Sequence, residues 1–181
     1  MLEYATKRDQ CWNALISKIV KSGADGFLLR DAFEEADFED MNYATIRRTA
    51  RGMQECHWLA RPSEKAQRWF VGYKGTLLLP VEQPEPNLTE YSGKAIKRDR
   101  CWNVLLKEIA EDGGDGFLLR NIHERNNLDI NYTTLRRTAR GMQELGWLQR
   151  HSKKAQRWHA GSSADTLLAT IKKPDPETVA V

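Results

Sequence analysis

Apolar side chains recur at helical spacing in three successive stretches of the chain's first half, and the pattern returns in the second. Trp12, Leu15, Ile16 and Ile19 fall on one face of a helix expected over residues 7–21. Thr6 and Asp9 have capping-box spacing at its start. Ile96 stands where Thr6 would recur, so the second copy is expected to lack that cap. Ser22-Gly23 and Gly113-Gly114 are suited to ending the helix in the two copies. Gly26-Phe27-Leu28 has the length of a strand stub. A second helix over residues 29–36 would turn Leu29, Ala32 and Phe33 inward; its counterpart carries Ile122 and His123, so the packing there should differ. Asn42 and Asn131 are good N-caps for a third helix. Met41 with Ile46, and Ile130 with Leu135, have the spacing of a hydrophobic staple. That helix should run to about Cys56 or Leu145, with His57 or Gly146 in the left-handed position beyond it. Apolar and aromatic flanks, Trp58 to Arg61 and Arg68 to Val71, enclose the polar tip Lys65-Ala66-Gln67 and predict a β-hairpin.

The repetition is explicit. Lys7-Arg8-Asp9 and Cys11-Trp12-Asn13 return as Lys97-Arg98-Asp99 and Cys101-Trp102-Asn103. Asp25 to Arg30 returns as Asp115 to Arg120. Between residues 42 and 69 the two copies share 21 of 28 positions. The offset is 90 up to residue 30 and 89 from residue 42, so one residue is missing from the second copy. Two copies of this length read as two small domains rather than a solenoid. The division is residues 1–79, a Pro-rich acidic linker at 80–93, residues 94–173, and a tail at 174–181. Such a linker favours an extended, semi-rigid spacer of about 3.1 Å per residue.

The chain has 181 residues and a net charge of +3. That mild value conceals an imbalance: residues 7–79 carry +2 and residues 94–173 carry +7. Apolar stretches such as Leu77-Leu78-Leu79 are far too short for a membrane span, which needs about 20 residues. Three cysteines do not make a disulfide scaffold, so a reducing, cytoplasmic setting is expected, nucleoid-associated in a bacterium.

Helix, short strand, helix, helix and hairpin, in that order and twice over, resembles the winged helix-turn-helix superfamily. The resemblance rests on the third helix, the step His57-Trp58-Leu59 or Gly146-Trp147-Leu148, and the basic hairpin. The tandem layout is similar to paired winged-helix proteins of plasmids and mobile elements. It implies a mainly α fold with small β-hairpin wings, the third helix being the reader of a DNA major groove. The partner expected is double-stranded DNA, and the role that of a transcriptional regulator or an accessory factor of a replicon.

On a helical wheel Ile46, Ala50 and Met53 face inward, while Ala44, Arg47, Arg48, Arg51 and Glu55 lie opposite. Thr133, Arg136, Arg137, Arg140 and Glu144 repeat that face. Arginine can fork onto guanine O6 and N7. Tyr43 and Tyr132, in the first turn, are within reach of a phosphate or thymine methyl. Lys65 and Arg68, then Lys153, Lys154 and Arg157, with Arg61 and Arg150 beside them, form a basic hairpin suited to phosphate contact. Two features should weaken the first copy: Glu64 in place of Lys153, and the acids Glu34, Glu35, Asp37, Glu39 and Asp40 before its third helix.

The bland alternative is a solvated face, with Arg51 spent on Glu55 at i,i+4. The rival functions are a protein-docking module, which would show no salt-dependent DNA binding, and an RNA or single-strand binder, which would need exposed aromatic platforms. Self-association and a protein partner stay open. The tryptophans repeat pairwise as 12/102, 58/147 and 69/158, which marks them as core. No metal-ligand spacing, phosphate loop, nucleophile elbow or cofactor motif is present, so neither a catalytic nor a cofactor site is assigned. Cys11 and Cys101 read as buried thiols, with a redox pairing open to them if the copies dock.

Overall fold

The computed structural model of the chain describes residues 1–22, 25–75, 93–126 and 129–165. The first half contains α1 (Lys7–Ser22), β1 (Phe27–Leu28), α2 (Leu29–Glu35), α3 (Tyr43–Glu55), β2 (Leu59–Ala60) and β3 (Arg68–Val71). The second repeats it as α4 (Lys97–Asp112), β4 (Phe117–Leu118), α5 (Leu119–Arg125), α6 (Tyr132–Glu144), β5 (Leu148–Gln149) and β6 (Arg157–Ala160). The protein is thus mainly α, with a small three-stranded antiparallel sheet in each half. The strand orders are β1-β3-β2 and β4-β6-β5. Phe27 pairs with Trp69 and Leu59 with Val71; Phe117 pairs with Trp158 and Leu148 with Ala160. Pairing covers only two residues of β2, so the outgoing strand is shorter than the apolar pattern suggests. The Pro-rich segment lies almost wholly outside the described residues, and the tail at 174–181 lies entirely outside them.

The third-helix signals operate as the sequence leads one to expect. Asn42 accepts from the N–H of Ala44 at 2.8 Å, and Asn131 from that of Thr134 at 2.8 Å. Ile46 and Leu135 are fully buried. Gly146 and His57 both take the left-handed conformation, at φ 83° and 64°. In α2, Phe33 meets Tyr43 edge-to-face; at the equivalent place His123 meets Tyr132 edge-to-face and also hydrogen-bonds the carbonyl of Ile130.

The two halves do not hang from their linker. They pack through α1 and α4 in a reciprocal arrangement. The indole rings of Trp12 and Trp102 stack with centroids 5.5 Å apart and planes within 11°. Trp12 Nε1 donates to Asp99 Oδ1 at 2.8 Å, and Trp102 Nε1 donates to Asp9 Oδ1 at 2.7 Å. Arg8 Nη2 reaches Asp99 Oδ2 at 2.5 Å, and Arg98 Nη2 reaches Asp9 Oδ2 at 2.6 Å. Trp58 Nε1 donates to Asn103 and Trp147 Nε1 to Asn13, at 2.9 and 2.8 Å. When residue i of one half meets j of the other, and i's copy meets j's copy, the interface is isologous and the relation is a two-fold.

Asp9 and Asp99 are therefore more than local caps. Asp9 accepts from the backbone N–H and hydroxyl of Thr6 as well as from Trp102 and Arg98. Asp99 accepts from the N–H of Ile96 besides Trp12 and Arg8. The carboxylate half of the capping box is thus shared by both copies, and only the hydroxyl half is missing where Ile96 replaces Thr6. Both carboxylates have no solvent exposure, yet each has several donors. Burying an ion costs several kcal/mol in a real protein. A buried aromatic side chain removes about 150–250 Å² from water, roughly 4–6 kcal/mol at about 25 cal/mol per Å². The stacked indoles are therefore of the right magnitude to carry the desolvation of the ions beside them.

This clasp needs room at α3 and α6, and Gly52 and Gly141 provide it. A Cβ on Gly52 would come within 2.5 Å of Asp99 Oδ2 and 2.9 Å of Arg8 Nη2. One on Gly141 would lie 2.9 Å from Asp9 Oδ2 and 3.0 Å from Arg98 Nη2.

Two outcomes are expected from urea unfolding. Asp9→Ala or Asp99→Ala leaves an arginine and an indole N–H without their buried acceptor and should cost about 3–5 kcal/mol; a loss within the roughly 0–1 kcal/mol of a surface pair would deny the clasp its role. His57→Gly should raise stability by about 1 kcal/mol through relief of the left-handed backbone, whereas Gly146→Ala should lower it, because its Cβ would also meet Ser163 Oγ at 2.6 Å.

Candidate nucleic-acid interface

In each half the third helix, the start of the second helix and the hairpin enclose an open groove. In the second half its volume is about 540 Å³, and its walls carry Arg120, Arg136, Arg140, Arg150, Lys153 and Lys154 with Asn121, Tyr132, Gln156 and Trp158. No carboxylate among the described residues lines it. The groove of the first half, about 470 Å³, presents Arg30, Arg47, Arg51 and Arg61 with Tyr43, Gln67 and Trp69, and includes Glu64. Like charges crowded at such a surface attract an anion and repel one another until it arrives.

The hairpin is braced by an arginine in each copy. Arg150 lies over the Trp158 ring at 4.3 Å, and Arg61 over Trp69 at 4.3 Å. Such a stack holds a cation on an aromatic face. Arg150 also donates to the carbonyl of Lys153 at 3.2 Å, and Arg61 to that of Glu64 at 3.1 Å. The hairpin tip is thereby fixed, and in the second half Lys153 and Lys154 face the groove. Burial, followed by the neighbouring Arg140 and Arg136, pulls the pKa of Arg150 down from its ordinary value. Burial and then Arg51 do the same for Arg61, against the opposing effect of Glu64. The Nε of each has no hydrogen-bond partner among the described residues.

The arginines of the third helix divide between two directions. Arg47 and Arg51, like Arg136 and Arg140, line the grooves. Arg48 and Arg137 sit on the seam side: Arg8 Nη2 lies 3.3 Å from the carbonyl of Arg48, and Arg98 Nη2 lies 3.5 Å from that of Arg137. Arg47, Arg48, Arg136 and Arg137 are exposed, while Arg51 and Arg140 are half-buried. None of these six forms a salt bridge among the described residues. Arg140 instead lies over the ring of Tyr4 at 5.1 Å. Thr133 is exposed in the first turn of α6, outside the groove.

Several residues work differently from what spacing suggested. Glu55 and Glu144 belong to the seam. Glu144 accepts the backbone N–H groups of Glu3, Tyr4 and Ala5, and Glu55 that of Ala95. Burial pushes the Glu144 carboxyl up, but those three donors outweigh it and hold the pKa below the ordinary value. Arg68 and Arg157 are exposed, and each donates Nη1 to a backbone carbonyl of the turn before its first strand, Gly26 and Gly116, at 3.0 and 2.9 Å. Lys65 is exposed at the tip but does not line the groove. Among the acids of the first half, Glu35 pairs with Lys18, Asp40 with Lys7 and Glu34 with Arg30, so part of that negative charge is met locally. The charge difference at the groove itself rests on Glu64 against Lys153, and on Lys154 lining the second groove where Lys65 does not line the first. Arg30 and Arg120 were not among the sequence candidates. The repeated Gly-Phe-Leu-Leu-Arg run is the signal that would have found them.

Among the described residues no helix is long and apolar enough to cross a membrane, and no group of His, Cys, Asp and Glu side chains is placed to hold a metal. No family model, curated protein or solved structure matches the chain.

All three thiols are free and buried. Burial pushes the pKa of Cys11 and Cys101 up to about 11 and that of Cys56 up to about 12. The thiolate is the reactive form, so all three should resist alkylation at pH 8 and be modified together as the chain unfolds; fast labelling of one cysteine in the folded protein would place it in an open site.

Proposed function

We propose that each half is a winged helix-turn-helix unit and that the protein binds double-stranded DNA with sequence preference, α3 and α6 entering the major groove and the two hairpins meeting the backbone. The single observation that carries this reading is the pair of equivalent grooves, each walled by third-helix arginines that have no carboxylate partner among the described residues. The element order and the placing of the first strand beside the last support the fold assignment. Arg47 and Arg51, or Arg136 and Arg140, have the fork geometry for base edges, while Lys153 and Lys154 suit phosphates. The indole rings that a single-strand binder would stack on bases are buried here, Trp69 and Trp158 being only 4% and 3% exposed, while Tyr132 at the groove is 36% exposed. The cellular role in keeping with this chemistry is that of a transcriptional regulator or a replicon accessory factor.

Selection of bound sequences from a random duplex pool, followed by anisotropy titration at several salt concentrations, tests the proposal. Arg136→Ala or Arg140→Ala should weaken binding to the selected site by about 1–3 kcal/mol, and by more than Arg47→Ala or Arg51→Ala. Lys154→Ala should weaken binding to all duplexes and reduce the salt slope by about one. No enrichment, together with salt-independent behaviour, would favour a protein-docking role instead.

A further inference from the structure

We infer that the DNA site is an inverted repeat read at one fixed half-site spacing, set by the docking of the halves rather than by the linker between them. This rests on the duplex-binding reading above and adds the orientation and spacing of the target. The reciprocal contacts of Arg8 with Asp99 and Arg98 with Asp9, and of Trp58 with Asn103 and Trp147 with Asn13, relate the halves by a pseudo-two-fold. A two-fold rotation leaves unchanged the component of any direction along its axis. The arginine faces of α3 and α6 are copies of one another, so whatever component each has along the axis, both share it and look toward the same side. Both helices abut the seam itself, through Gly52 and Gly141.

A B-form duplex has two-folds of its own, perpendicular to its axis. A protein two-fold can coincide with one of these only if the half-sites are inverted; direct repeats need a translation, which this docked interface does not contain. The readers are nearly identical. Tyr43, Arg47, Arg48 and Arg51 recur as Tyr132, Arg136, Arg137 and Arg140, with Ala44 against Thr133 as the difference on the outer face. The two half-sites should therefore be near copies of one sequence. Because the buried clasp fixes the helices, lengthening the chain between the halves leaves their separation alone.

The test uses the full chain and fluorescently labelled duplexes carrying two copies of the half-site recovered by selection. The copies are placed as inverted or direct repeats, with separation scanned over about one helical turn (about 10–10.5 bp). The protein is compared with a variant carrying a Gly-Ser stretch between Pro84 and Glu85. Inverted repeats should bind about 10²-fold more tightly at one spacing, since only there do both halves engage one duplex. The optimum should be the same in the lengthened variant. Equal or better binding of direct repeats, or an optimum that moves with linker length, would overturn the inference while leaving DNA binding intact. Failure to bind any duplex, even at low salt, would remove the functional reading and the inference with it.

Discussion

Two buried aspartates, each taken from one half and satisfied by the other, are the constraint on which the arrangement depends. Asp9 starts its own helix by accepting from Thr6 and at once receives Arg98 and Trp102. Asp99 does the same for Ile96, Arg8 and Trp12. Helix initiation and docking of the halves thus share the same atoms. A carboxylate with no exposure and donors from a single local residue, two from Thr6 for Asp9 and one from Ile96 for Asp99, would be poorly satisfied in an isolated half. Across the seam it gains a charged partner and an indole N–H, and the stack of Trp12 on Trp102 covers the arrangement. Removal of one member strands the others, so the clasp is cooperative in the way buried polar networks are.

The clasp also organises the outward surface. It must sit against the third helix of each half, which is why Gly52 and Gly141 occupy that face. One turn before them, Arg48 and Arg137 flank the seam. Arg47 and Arg51, and Arg136 and Arg140, are left to face the grooves. A helix that looks in projection like one broad arginine face is in fact partitioned into an edge near the pseudo-axis and an edge facing the hairpin. Arg61 and Arg150 complete the second edge by fixing the hairpin on its tryptophan.

Much of each half is legible in the order of residues because its signals are local. N-cap asparagines, staple pairs, the left-handed residue after the third helix and the polar tip of the hairpin each act over a few positions, and each appears in place. The seam is not legible in that way. Capping-box spacing accounts for Asp9 well enough that nothing prompts a search for a partner 89 residues away. Trp12 reads as core, yet spacing cannot say that its core is shared with the other half. Arg68 and Arg157 read as phosphate contacts from their place beside the tip; strand register adds a bond from each to the carbonyl of Gly26 or Gly116, which spacing alone does not announce. Glu55 and Glu144 lie on the outer face of the wheel, but in the assembled protein part of that face meets the other half.

Joining two related halves in one chain has a physical consequence that a homodimer lacks. In a homodimer each substitution appears twice, so both sides of the axis change together. Here the halves have diverged without losing the clasp. Lys18 pairs with Glu35 in the first half, and Glu108 with Arg125 in the second, the same bridge with its polarity exchanged. His57 stands in the left-handed position that Gly146 fills. Glu64 occupies the hairpin position of Lys153, and so the two grooves differ in charge while their third-helix arginines match. A pseudo-symmetric molecule of this kind can keep one geometry on both sides and give them different charge, with the interior enforcing the symmetry and the hairpins free to depart from it.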